Sequence, residues 1–166
     1  MSQTRLDPEE ALAGPLYAVA GLLIAMPVVD FVLSVAAPAP SSVQWRFAAV
    51  GLLSGFTLTP ILGMAVALTV AAVRQHYLVQ RLLVATSLLG SVVLLVLCAG
   101  FILDVLQLRV SIPAEGQAAF RSAWTRALLK HLLAAVVLAY LGWRARRMIP
   151  KGHRPREPRT VHVVTK

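Results

Sequence analysis

The sequence predicts an all-α integral membrane protein: four transmembrane helices packed as a compact antiparallel bundle, with both termini cytoplasmic. Three observations predict it. Apolar residues make up 58% of the 166 and charged residues 14%, against roughly 45–50% and about 25% in an average soluble domain. Mean hydropathy is +0.74. Four apolar segments each run to about 20 residues or more, the length that covers a ~30 Å hydrocarbon core at ~1.5 Å rise per residue. A water-soluble fold of this size could not hide so much apolar surface, because small domains bury a modest share of what they expose. The single cysteine, Cys98, and the absence of any Cys/His cluster exclude a disulfide scaffold and a zinc module.

The spans are expected at about 15–37, 47–73, 82–108 and 124–143, within a transmembrane domain covering 15–143. Hydrocarbon offers no hydrogen-bond partner, so each segment satisfies its backbone as a helix. Pro27 and Pro60 fall inside spans one and two and predict kinks there. Trp45, Trp124, Trp143 and Tyr77 lie at span ends, and Tyr17 and Tyr140 near them, where amphipathic rings prefer to sit.

Orientation is read from the basic residues. The 74–81 link carries Arg74, His76 and Arg81 with no acid, and the tail over 144–166 sets eight arginines and lysines against Glu157 alone. By the positive-inside rule both are cytoplasmic, which an even number of spans requires for a cytoplasmic N-terminal segment over 1–14. That segment lacks a basic n-region. Pro38 directly after Ala36-Ala37 argues against cleavage, so span one is read as retained. The expected location is the cell inner membrane.

Span two repeats a small residue every fourth position, at Gly51, Gly55, Thr59, Gly63 and Ala67, continuing to Ala71. Positions four apart stack on one helix face, so this stripe predicts close helix packing within the bundle or between copies. Weaker versions occur at Thr86/Gly90 and Ser87/Ser91.

The most informative constellation is Asp30, Asp104, Arg126, Lys130 and His131. A charge at bilayer depth costs about 2.5–3.5 kcal/mol on insertion scales, so it needs a partner, water or a purpose. Helical rise sets Asp30 and Lys130 at one depth and Asp104 and Arg126 at another, shallower one. This predicts two cross-helix pairs, Asp30 with Lys130 and Asp104 with Arg126, as an ion-pair network fixing helix register. His131 points about 100° around the helix from Lys130. A bis-histidine haem would need a second histidine at membrane depth, and His76, His153 and His162 lie in the link or tail. No nucleophile–base arrangement, phosphate loop or metal-binding motif is present, so neither an enzyme nor a bound cofactor is expected.

Beyond Trp143 the tail is basic and punctuated by Pro150, Pro155 and Pro158. Arg144, Arg146, Arg147 and Lys151 are expected to contact anionic headgroups, at ~1 kcal/mol per nearby basic residue. The tail has no interleaved aromatics, so nucleic-acid binding is not expected, and no small-molecule substrate can be inferred. The leading functional expectation is a structural or accessory component that packs against itself or within a larger membrane complex. The alternative is a small transporter or ion-conducting subunit using Asp30, Lys130 and His131. A third is a membrane-tethered sensor whose tail binds a cytoplasmic partner.

Overall fold

Runs of Leu, Val and Ala that must satisfy their own backbone fold as helix, and helix accounts for most of the described residues. The structure, a computed structural model, describes residues 8–35 and 39–149, with side chains from Leu12 onward. Its helices are α1 (Pro8–Ser34), α2 (Val43–Phe56), α3 (Leu58–Val73), α4 (Tyr77–Arg109) and α5 (Gln117–Arg147), with a 3-10 turn at Ala114–Gly116 before the last. No strand occurs among the described residues. Leu12–Ser34, Tyr77–Arg109 and Ala114–Arg147 are each long and apolar enough to cross a membrane, and α2 with α3 passes the same test as a pair bent by 45°. The protein therefore has three to four candidate membrane spans.

The prolines act unequally. α1 continues as one helix through Pro15 and Pro27, whereas at Pro60 the chain breaks into α2 and α3 at Thr57. Pro60 offers no N–H to the Phe56 carbonyl and its ring crowds that carbonyl. Ser54 and Thr57 turn their hydroxyls back onto the carbonyls of Gly51 and Leu53, at 2.6 and 2.7 Å, which further favours a bend. α2 starts at an N-cap: Ser42 Oγ accepts the Trp45 N–H at 3.3 Å. Between α3 and α4 the turn is a Schellman closure. The His76 N–H bonds to the Ala71 carbonyl and that of Gln75 to Ala72, with Gln75 itself at φ 55° in the left-handed region usually given to glycine.

α4 and α5 form the central pair. The buried residues of α4 include Gln80, Val84, Ser87, Ser91, Leu94, Cys98, Phe101 and Val105, alternating steps of four and three, the ~3.5-residue period of a left-handed helix seam. α5 answers with small side chains, Ala127, Ala134, Ala135, Gly142 and Ala145, and with His131. Gln80 Nε2 donates to the Ala145 carbonyl at 3.0 Å and Ser91 Oγ to the Ala135 carbonyl at 2.8 Å, which sets the pair antiparallel. α3 lies against this pair through Ile61, Met64 and Leu68 and against α1 through its small face. No Cα of α1 comes within 8 Å of one of α4 or α5 among the described residues.

The small-residue stripe of span two is not one continuous face, because the break at Thr57 re-aims its two halves. A Cβ at Gly63 would meet the Ala20 carbonyl oxygen at 2.8 Å, so here backbones do come close, and Ala67 and Ala71 are buried on the same side. Gly51 and Gly55 have nothing within 4 Å of an added Cβ. Gly63→Ala is therefore expected to push α1 off α3 and cost about 1–3 kcal/mol. Gly51→Ala is expected to be neutral or to gain up to about 1 kcal/mol from helix propensity. Denaturant unfolding in detergent micelles measures both.

Candidate functional site

Each charge in the apolar region can be traced from its helix position to its partner. Helix α2 begins at Val43, so Arg46 lies in its first turn, level with the far end of α4. There it meets Asp104, which is 6% exposed. Arg46 Nε donates to both carboxylate oxygens at 3.1 Å and Nη2 donates to Oδ1 at 2.7 Å, while Nη1 donates to the Pro40 carbonyl at 2.8 Å. This fork is the one ion pair among the described residues, and bidentate geometry makes it a strong one. Beneath it, Phe47 stacks on Phe101 and Phe120, ring centroids 5.2 Å apart in both cases, closing the apolar core around Val105 and Ala127.

The expected partner of Asp104, Arg126, is elsewhere. It is exposed and folds back along α5, giving Nε to the Ser122 carbonyl and Nη2 to Ser122 Oγ. The α4–α5 register, with Gln80 bonded to Ala145 and Ser91 to Ala135, sets Asp104 level with Ser122 rather than with Arg126, which is exposed. Asp30 and Lys130 do not pair with each other or with any other charge among the described residues either. They stand on α1 and α5, which do not pack against each other, and both side chains are exposed. Asp30 shares its exposed stripe with Met26, Val29 and Leu33, and Lys130 stands beside exposed Leu129 and Leu133. Phe31, next to Asp30, lines the same apolar space as Leu97, and Ala127, one turn from Lys130, packs on Phe101.

His131 is buried in the α4–α5 seam. A carbonyl only accepts, so its 2.8 Å contact with the Ala127 oxygen puts the ring proton on Nδ1. Nε2 is buried without a hydrogen-bond partner among the described residues, and so are Ser87 Oγ and the donor Arg74 Nη2. No group of three His, Cys, Asp or Glu that could hold a metal ion occurs among the described residues.

At the opposite end of the helices, Tyr17 Oη and His76 Nδ1 are hydrogen bonded at 3.1 Å with their rings stacked, which ties α1 to the α3–α4 turn. Arg144, Arg146 and Arg147 are exposed on the last turn of α5, with the Arg147 guanidinium 3.8 Å above the Trp143 ring. Lys151, the proline-punctuated tail and Ala36-Ala37-Pro38 lie outside the described residues.

Sequence reasoning missed Arg46 and Gln80. Hydropathy ended span two at Phe47 and span three at Leu82, although the helices run on to Val43 and Tyr77. Ser42 as an N-cap and the seven-residue repeat from Gln80 to Val105 are the signals that would have found them. No family model, curated protein or solved structure matches the chain.

Asp104 is buried whereas Arg46 can reach its head toward water, so the two truncations are unequal. Arg46→Ala strands a buried carboxylate and is expected to cost about 3–5 kcal/mol. Asp104→Ala is expected to cost less, and the double variant to be more stable than Arg46→Ala alone. Arg46→Lys is not expected to restore the pair, because an ammonium cannot span both oxygens. A double-mutant cycle of unfolding free energies in micelles reads all four.

Proposed function

We propose that this chain is a non-enzymatic multi-pass protein of the cell inner membrane with a structural or accessory role, assembling laterally with copies of itself or within a larger membrane complex. One observation carries the reading: Asp30 and Lys130 stand on exposed apolar faces, opposite in charge, with no partner among the described residues, and helical rise from the expected span ends sets them at one depth. Each would cost about 2.5–3.5 kcal/mol if left unpaired in lipid, and pairing across a chain boundary removes that cost. The two faces complement each other from different helices. Copies would therefore join head-to-tail, the kind of contact that closes a ring when the rotation permits.

Taking α2 and α3 as one broken span gives four spans. In support, the pair covers the whole length of α1, from the Trp45 level beside Phe31 to His76 beside Tyr17. The basic 74–81 link and the arginines ending α5 then lie together at one end, on the cytoplasmic side with both termini. There Arg144, Arg146 and Arg147 are placed to meet anionic headgroups.

A second reading, proton or ion conduction, is favoured by the bare, buried Nε2 of His131. Against it, none of the cavities described here is lined by His131, Asp30 or Lys130. The test is the mass of the intact particle after extraction in mild detergent. A defined multimer or complex is expected, and a lone chain would overturn lateral assembly and leave conduction to be tested by proton flux with His131→Gln.

A further inference from the structure

No Cα of α1 comes within 8 Å of one of α4 among the described residues, and the space between them is a trough closed behind by the broken pair α2–α3. A cavity of about 650 Å³ lies at its Arg46 end and a second of about 330 Å³ continues from it, the two sharing Phe31, Leu53 and Leu97 as walls. The trough exists because of the proline break: Thr57 and Pro60 line its deeper half. From Asp104 to Gly90 it runs roughly 21 Å at ~1.5 Å per residue, somewhat more than one leaflet of a ~30 Å hydrocarbon core. Its walls are apolar along that length, and its polar groups gather at one end.

That end is rich in donors. Asp104 is occupied by Arg46, and of the five N–H groups of a guanidinium three are engaged with Asp104 and Pro40. Two remain. The indole N–H of Trp45 and the amide of Gln107, both lining the cavity, donate to no group among the described residues. A slot of acyl-chain length with unused N–H donors at its mouth matches a phosphodiester joined to a hydrocarbon tail. We propose that the trough holds one phospholipid, an acyl chain lying between α1 and α4 and the phosphate oxygens accepting from Trp45, Arg46 and Gln107. This goes beyond lateral assembly and does not depend on it.

Gly100 lines the trough and has nothing within 4 Å of an added Cβ. Gly100→Leu therefore fills the slot without breaking a contact, and in a helix it replaces the poorer helix former. Gly21 is equally open but exposed on α1 and lines neither cavity, so Gly21→Leu is the control. The purified full-length chain, delipidated in detergent, is titrated with palmitoyl-oleoyl phosphatidylglycerol or with palmitate and read by native mass spectrometry. Wild type and Gly21→Leu are expected to hold one phosphatidylglycerol, Gly100→Leu to bind it at least ~10-fold more weakly, and Trp45→Phe to weaken it several-fold. Equal retention by wild type and Gly100→Leu would overturn the proposal, and so would palmitate binding as well as the phospholipid. The number of protein chains in the same spectra reports lateral assembly separately.

Discussion

Hydrocarbon supplies no hydrogen bonds, and the Arg46–Asp104 fork is where this chain meets that constraint most directly. A carboxylate buried at Asp104 requires a cation with matched geometry, and the guanidinium of Arg46 meets both of its oxygens while a third group reaches the Pro40 carbonyl. The fork fastens the start of α2 to the far end of α4. With that end held over the Phe47–Phe101–Phe120 stack, the chain must turn to reach α1, and it does so at Thr57, just ahead of Pro60. The bend lays α3 against α1 at Gly63 and leaves the trough between α1 and α4.

α5 is placed by size. Its buried face is almost entirely alanine and glycine, which lets its backbone approach α4 closely enough for Gln80 and Ser91 to donate directly to its carbonyls. Such bonds average about 0.6 kcal/mol each in membrane helices, so they specify register more than they stabilise. His131 is the single large group in this face, and its ring is held by its own helix rather than by α4. The polar groups of the apolar region thus fall into three sets. Asp104, Arg46, Gln80 and Ser91 are bonded inside the chain and Asp30 and Lys130 face outward, while His131 Nε2 and Ser87 Oγ stay buried without a partner among the described residues.

Much of the fold was legible because length and apolarity dictate helix in a medium without water. Rise per residue gives only an expected depth along each helix. What depth cannot convey is the direction a side chain faces. Arg126 is exposed and folds onto Ser122, one turn from the level of Asp104, and Asp104 pairs instead with Arg46, a residue that hydropathy places in a loop. Hydropathy ends a span at a charged residue, whereas the helix continues while its backbone remains bonded. That difference hid Arg46 and Gln80. The small-residue stripe was read as continuous because a four-residue period assumes a straight helix, and Pro60 removes the assumption halfway along: Gly63 packs tightly while Gly51 and Gly55 face open space.

The proposal that the outward-facing Asp30 and Lys130 pair between copies is tested most directly by charge reversal. Particle mass in mild detergent is compared for Asp30→Lys, Lys130→Asp and the chain carrying both. If Asp30 of one copy pairs with Lys130 of the next, each single reversal sets like charges against each other and yields single chains, and the double reversal restores the wild-type assembly. Single reversals that keep the wild-type mass, or a double reversal that fails to recover it, would contradict pairing between copies.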